Sequence, residues 1–104
     1  MSTYCVTFRI ADKTVSGKSY DDRYRQFMKD VKDGGGFWFD PTSFLLVESH
    51  RSTPDYAKKA VQALSEVHDM AFIFDPEDMS ACYFGNVEDL KVLKSFFPGA
   101  KKVG

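Results

Sequence analysis

The chain contains the pattern Phe-x-Phe-Asp-Pro twice, from Phe37 to Pro41 as Phe-Trp-Phe-Asp-Pro and from Phe72 to Pro76 as Phe-Ile-Phe-Asp-Pro. In both copies a second apolar run follows within a few residues. Asp favours the first position of a tight turn and Pro presets the backbone at the next, so each copy predicts a β-hairpin. A helical pattern precedes each copy. The repeat therefore predicts helix, hairpin, helix, hairpin behind one initial strand.

The composition predicts one domain over residues 1–104, because a chain of this length with 43% apolar content can bury a single core. A formal charge of −1 excludes a strong overall positive field toward nucleic acid or anionic membrane. No apolar run approaches the roughly 20 residues of a membrane span, and the first residues lack the apolar core of a signal peptide. We therefore expect a cytoplasmic protein without a membrane partner.

The two cysteines, Cys5 and Cys82, lie within apolar strand patterns and have no Cys-x-x-Cys spacing. In a reducing compartment this placement favours buried free thiols over a disulfide or a zinc site. We expect neither a cofactor nor a bound metal.

The first part of the chain predicts a strand and a helix. Apolar and polar side chains alternate from Tyr4 to Ile10, as in a half-buried strand. Ser19 and Asp22 have the spacing of a capping box and predict the start of a helix. Three glycines at residues 34–36 predict its end.

The remainder predicts two hairpins, two helices and a tail. Thr53 is expected to cap the second helix with Pro54 at its first position. Gly85-Asn86 is expected to start the last helix, and the basic tail over residues 99–104 is expected to be frayed. The hairpin strands are expected at Phe37 to Phe39, Phe44 to Ser49, Met70 to Phe74 and about Ser80 to Phe84.

This order of elements predicts an α+β protein with the ferredoxin-like β-α-β-β-α-β arrangement and an additional C-terminal strand and helix. The expected sheet is antiparallel with helices on one face. The other face and the edge strand then need cover, which a second copy of the chain would provide. We expect a homodimer, with interface candidates Cys82, Tyr83, Phe84, Phe96 and Phe97.

Several short stretches resemble a group of small ferredoxin-fold proteins often described as SinR-like. This group is related in fold to VapD-type and CRISPR-associated small endoribonuclease-like proteins. Members of the wider group are dimers, and some cleave or bind nucleic acid, so the resemblance implies the same fold and a dimer. The matching stretches are Thr3 to Phe8, Tyr20 to Asp22, Phe37-Trp38, Thr42 to Val47, Asp69-Met70 and Tyr83 to Gly85.

The chain departs from the nuclease-like members of this group at one position. Those members resemble one another in an acidic residue directly after the aromatic residue near the end of the first strand. Here Phe8 is followed by Arg9, and a cation cannot ligate Mg²⁺. Asp12 lies three residues further and is the substitute we consider for a catalytic carboxylate, alone or together with a carboxylate of a hairpin turn. A metal-dependent nuclease is therefore the alternative rather than the leading hypothesis.

Cations near the end of the first strand favour another alternative, nucleic-acid or anion binding without cleavage, through Arg9, Lys13 and Lys18. Gly17-Lys18-Ser19 has the end of a phosphate-loop pattern, but Asp12 stands where that motif has its first glycine. The cations at 23, 25, 29 and 32 could also track phosphates, although such a stripe is more typical of the solvated face of an amphipathic helix.

Carboxylates gather at the two hairpin turns, where a hard metal could bind them. Turn formation is the favoured interpretation, because Asp before Pro is what such turns use. His50 and His68 fit polar surface positions. The leading hypothesis is a non-enzymatic homodimeric binding or assembly module whose partner the sequence does not identify. The turn carboxylates are Asp40, Asp75, Glu77 and Asp78.

Overall fold

The computed structural model describes all 104 residues as six strands and three helices. No helix is long and apolar enough to cross a membrane. In chain order the elements are β1 (Ser2–Arg9), α1 (Tyr20–Asp30), β2 (Phe37–Trp38), β3 (Phe44–Ser49), α2 (Thr53–Ala60), β4 (Met70–Phe74), β5 (Ala81–Gly85), α3 (Leu90–Phe96) and β6 (Lys101–Lys102).

The strands form one sheet in the order β2-β3-β1-β4-β5-β6. All neighbouring strands are antiparallel except β5 and β6, where Cys82 pairs with Lys101 in parallel. The α+β class is therefore confirmed, and the prediction of a purely antiparallel sheet is wrong. The reason is the crossover through α3, which returns the chain to the edge of the sheet in the direction of β5.

The C-terminal tail was expected to be frayed, and this prediction is wrong. Ala100 and Val103 are buried, and the amide of Val103 donates to the carbonyl oxygen of Tyr83 over 2.9 Å. Lys102 also forms an ion pair with Glu66 at 2.9 Å. The two lysines suggest a solvated tail, but the apolar residues on either side of them attach it to the sheet.

The start of α1 follows the predicted capping box. The Ser19 hydroxyl accepts from the amide of Asp22, and the Asp22 carboxylate accepts from the amide of Ser19, each over 3.0 Å. In α2 the N-cap is Ser52 rather than Thr53, so that expectation is wrong by one residue. The seryl hydroxyl provides the same acceptor one position earlier.

The start of the last helix differs from the prediction. Helix α3 begins after Asp89, whose φ of 51° is left-handed and whose side chain makes no capping hydrogen bond. Gly85 belongs instead to the end of β5, with φ of 80°. A Cβ at this position would collide with the carbonyl oxygen of Asp69, which only glycine avoids.

The helices do not all lie on one face of the sheet. Helices α1 and α2 cover the first face, where Val6, Phe27 and Ile73 belong to the main core. Helix α3 covers the second face, because it packs against Phe72, whose side chain alternates with that of Ile73. Its contacts are with β4 and β5. The β2-β3-β1 half of the second face has no helix over it.

Candidate functional site

A row of apolar side chains crosses the uncovered half of the second face and ends on β4 with Phe74, which packs against Phe97 of α3. Trp38 pairs with Leu46, Leu46 pairs with Cys5, and Cys5 pairs with Phe74. Trp38 is 48% exposed, and Leu46 and Phe74 are partly exposed. A second row alongside it contains Phe44, Thr7 and Phe72. We call the surface of Cys5, Thr7, Trp38, Phe44, Leu46 and Phe74 the open half-face.

Two opposite charges lie at opposite ends of the open half-face. Glu48 pairs with Thr3 near the start of β1, and Arg9 pairs with Met70 at the end of β1. At ~3.3 Å per residue, Thr3 and Arg9 are about 20 Å apart along the strand. Both charged side chains are exposed. The surface therefore has an apolar centre, a negative end and a positive end.

Most of the predicted interface residues are buried by contacts within the same chain and are not free to contact a partner. Cys82, Tyr83 and Phe84 are buried, and Phe97 packs with its ring centroid 5.0 Å from that of Phe72. Phe96 is the exception and is 70% exposed. The alternation within β3 places Phe44, Leu46 and Glu48 on one side of that strand, but it does not indicate that this side lacks a covering helix.

The two thiols lie on opposite faces of the sheet. Cys82 belongs to the main core beneath α1 and α2, whereas Cys5 pairs with Phe74 on the second face. Burial is the main cause that raises the pKa of each thiol. Neither thiol is therefore set up as a nucleophile.

Arg23 and Asp69 form a buried ion pair that the sequence interpretation missed. Arg23 is 3% exposed, Asp69 is fully buried, and Arg23 Nε lies 3.1 Å from Asp69 Oδ2. Arg23 also donates to Asp69 Oδ1 and to three carbonyl oxygens, so all five guanidinium protons have acceptors. Arg23 was expected to lie on a solvated helix face, and that expectation is wrong. The carbonyl oxygens belong to Ala11, Lys13 and Lys18.

The Asp69 carboxylate is held ionised in the interior. Burial alone would raise its pKa, but hydrogen bonds from Arg23 and from the amides of Ser65 and Ala11 outweigh burial. The pKa of Asp69 is consequently lower than its ordinary value. The pair connects the segment after β1, helix α1 and the start of β4, so its role is structural.

A polar cleft of about 520 Å³ opens beside α1. Its cations are Lys18, Arg25 and Lys29, with the buried Arg23 at its base, and Asp22 is its only acidic residue. Of the anion-binding candidates, Lys18 lines this cleft, whereas Lys13 and Arg9 do not. The remaining lining residues are Gly17, Gln26, Gln62 and Ala63.

The other candidates do not assemble into one site. Arg9 Nη2 donates to the carbonyl oxygen of Asn86 over 2.9 Å, and Lys13 is exposed in the segment after β1. Asp12 is exposed in the same segment. The structure contains no group of three or more His, Cys, Asp or Glu side chains that could hold a metal. His50 is exposed, and His68 is partly buried.

The carboxylates of the two hairpin turns lie at opposite ends of the sheet. The first turn precedes Phe44, which pairs with Thr7 toward the end of β1. The second turn follows Phe74, which pairs with Cys5 while β4 runs toward the start of β1. In the second turn Asp75 Oδ1 accepts from the amide of Glu77 over 2.9 Å. Asp40 and Asp75 therefore cannot share one ion.

Comparison with family models, with curated proteins and with solved structures found no match to this chain. The resemblance to SinR-like proteins stays a prediction that rests on the stretches quoted above.

Proposed function

We propose that the protein is a non-enzymatic binding or assembly module that forms a homodimer through the open half-face. The observation that carries this proposal is the partial cover of the second sheet face. Helix α3 packs on β4 and β5 and stops there. A contiguous apolar surface beside a sheet edge typically marks an interaction site.

A second copy of the chain is the occupant that the charges favour. A two-fold axis that lies between the two sheets, parallel to them and perpendicular to the strands, brings the negative end of one open half-face over the positive end of the other. Glu48 of each protomer then approaches Arg9 of its partner, and the apolar rows meet between them. The surface is self-complementary in this arrangement.

The ferredoxin-like assignment belongs to the same proposal. The order β2-β3-β1-β4 supports it, since these four strands and the helices α1 and α2 follow the split β-α-β pattern. Membership in the SinR-like group would agree with this order and with a dimer. Strands β5 and β6 and helix α3 extend the pattern.

The metal-dependent nuclease remains the weaker alternative. It needs oxygen ligands converging on one cation. Asp12 is exposed, and no metal-binding group of side chains surrounds it. Nucleic-acid binding through Arg9, Lys13 and Lys18 has a similar weakness, because only Lys18 lines the cleft.

Sedimentation velocity over a concentration series tests the dimer. The wild-type protein should reach the mass of two 11.8 kDa chains at tens of micromolar. Trp38→Glu should leave a monomer, because a carboxylate would be buried without a partner in the interface. Phe96→Glu, the same type of change at an exposed aromatic residue on α3, should remain dimeric.

A charge exchange tests the two-fold arrangement. Arg9→Glu should weaken the dimer, because two carboxylates would then approach each other. The double variant Arg9→Glu with Glu48→Arg should recover part of that loss. A wild-type protein that stays monomeric, or dissociation by Phe96→Glu but not by Trp38→Glu, would contradict this proposal.

A further inference from the structure

The cleft beside α1 is a concave surface that is separate from the open half-face. It lies on the side of the sheet that α1 and α2 cover, and its lining contains one apolar residue, Ala63, and no aromatic residue. Its volume of about 520 Å³ is in the range of small-molecule sites. The polar lining distinguishes it from a typical site for a planar or apolar ligand.

The chain neutralises the positive charges of the cleft only in part. Lys18 and Lys29 have no ion-pair or hydrogen-bond partner for their ammonium groups. Arg25 contacts Asp21 at 2.9 Å, but both side chains are more than half exposed, so water screens this pair. The amide of Ser19 donates to Asp22 in the capping box and is the main cause that lowers the pKa of Asp22, with smaller contributions from the charges of Lys18 and Arg25. Asp22 therefore offsets one of the three cations Lys18, Arg25 and Lys29. An excess of positive charge therefore faces the cleft.

The start of α1 does not provide the anion site. Ser19 already accepts from the amide of Asp22, and the amide of Arg23 donates to the carbonyl oxygen of Ser19. The recognition groups are instead side chains. Arg25, Gln26 and Lys29 project from neighbouring turns of α1, and Gln62 lies beyond the end of α2.

The buried ion pair organises the edge of the cleft. Arg23 Nη1 donates to the carbonyl oxygens of Lys13 and Lys18, over 2.8 Å and 3.0 Å. These bonds place the backbone of Lys18 beside α1 before any ligand arrives. Asp69 neutralises Arg23, so the net positive charge offered to a ligand is that of Lys18, Arg25 and Lys29 less the one negative charge of Asp22.

We propose that this cleft binds a small polyanion that carries at least two phosphate groups. The Arg25 guanidinium and the ammonium groups of Lys18 and Lys29 match phosphate oxygens. The amide of Gln62 can donate to the same oxygens, and so can the second amide proton of Gln26, whose first is bonded to Asp30 Oδ1. The absence of aromatic residues from the lining disfavours a stacked nucleobase. The ligand is therefore an oligophosphate rather than a nucleic-acid strand.

Titration with metal-free pyrophosphate at low ionic strength tests the site, with calorimetry and with NMR of the glutamine side-chain amides. Binding should shift the amide signals of Gln26 and Gln62. Lys18→Ala and Lys29→Ala should each weaken binding by about tenfold, the effect of losing one charge-assisted contact. Lys91→Ala removes an exposed lysine of α3 and should leave binding unchanged.

Three outcomes would overturn the oligophosphate site. One is the absence of pyrophosphate binding in the wild-type protein. Another is an equal loss of affinity in Lys91→Ala, which would indicate only general attraction. The third is a single-stranded RNA oligomer that binds through Lys18 and Lys29 while pyrophosphate does not. Sedimentation velocity with and without pyrophosphate shows whether the ligand changes the monomer–dimer equilibrium. Trp38→Glu, which should abolish the dimer, lies on the other face of the sheet and should still bind pyrophosphate.

Discussion

The two copies of Phe-x-Phe-Asp-Pro begin with the same residue types and reach different environments. In the second copy Ile73 is fully buried, and Phe72 is almost so. In the first copy Trp38, which corresponds to Ile73, is 48% exposed, and Phe37, which corresponds to Phe72, is only partly buried. The pattern therefore specifies a hairpin turn in both places, but it does not specify burial.

The neighbours of each strand explain the difference. Strand β4 pairs with β1 and β5 and has helices on both faces, whereas β2 pairs only with β3 at the edge of the sheet. The segments that precede the two copies differ as well. Asp69, three residues before the second copy, is held in the buried pair with Arg23, while Asp33, four residues before the first, lies in a partly exposed pair with Arg51.

The same sequence pattern, Phe-x-Phe-Asp-Pro, therefore has two different structural roles in this protein. The second copy is part of the core, and its aromatic rings pack against Phe97 of α3. The first copy contributes the exposed Trp38 to the open half-face, whereas the second copy contributes only Phe74, at the border where Phe97 packs against it. Substitutions in the second copy should therefore mainly lower the free energy of unfolding, and substitutions in the first copy should mainly weaken the dimer.

The largest expected effect comes from removing the anchor of the second copy. Asp69→Ala leaves the Arg23 guanidinium buried without its counter-ion, which should lower the free energy of unfolding by about 3–5 kcal/mol. Urea unfolding followed by circular dichroism measures it. Asp21→Ala, which breaks the exposed pair with Arg25, is the control and should cost less than about 0.5 kcal/mol. Equal costs for the two variants would mean that the buried pair does not anchor β4.

The central residue of each copy provides the next comparison. Ile73→Ala should lower the free energy of unfolding by about 2–5 kcal/mol, because the vacated volume lies in the core. Trp38→Ala should cost the monomer far less, and should instead reduce association in sedimentation velocity. Unfolding is measured at low protein concentration so that the dimer does not contribute. If Trp38→Ala destabilises the fold as much as Ile73→Ala, the two copies are equivalent and the comparison fails.

The sequence predicted those parts of the fold that depend on local chemistry. The capping box at Ser19 and the hairpin turns rest on interactions within a few residues, and both are present. The attachment of residues 101–102 to β5 depends on a contact across the fold that no local pattern contains. The position of α3 on the second face has the same cause.

The candidate sites were less predictable for a related reason. Arg23 and Asp69 are separated by 46 residues, and the helical periodicity of Arg23 resembled that of its exposed neighbours. Lys18 was singled out from the sequence, but its neighbours in the cleft come from α1 and from the residues after α2. The open half-face required knowledge of which half of the sheet α3 leaves uncovered.

A smaller effect should distinguish the two aspartates of the repeated pattern. Asp75 is buried and accepts from the amide of Glu77, so Asp75→Ala should cost about 1–2 kcal/mol. Asp40 is exposed and accepts no hydrogen bond, so Asp40→Ala should change the free energy of unfolding by less than about 0.5 kcal/mol. Thermal unfolding of both variants at one pH provides the measurement. A larger cost for Asp40 would indicate an unrecognised contact at the first turn.

The smallest expected effect depends on pH and concerns Asp33, in the segment that precedes the first copy. The hydroxyl of Ser49 donates to Asp33 Oδ2 over 2.5 Å, and Arg51 Nε donates to the same oxygen over 3.1 Å. The Ser49 hydrogen bond is the main cause that lowers the pKa of Asp33, with a smaller contribution from the charge of Arg51. Because the folded-state pKa is depressed, the ionised carboxylate stabilises the fold above its unfolded pKa of about 3.9.

Asp33→Asn should therefore cost about 1 kcal/mol at pH 7, since Arg51 is half-exposed and water weakens the pair. The cost should shrink as the pH falls below about 4 and should disappear once Asp33 is protonated in the folded protein as well. Asp40→Asn removes the same charge without a bonded partner, so its effect should stay near zero throughout. Urea unfolding of both variants from pH 7 to pH 2.5 measures the two profiles. A constant cost for Asp33→Asn across this range would show that the carboxylate charge does not stabilise the approach to the first hairpin, and that Asp33 and Asp69 hold their hairpins by different means.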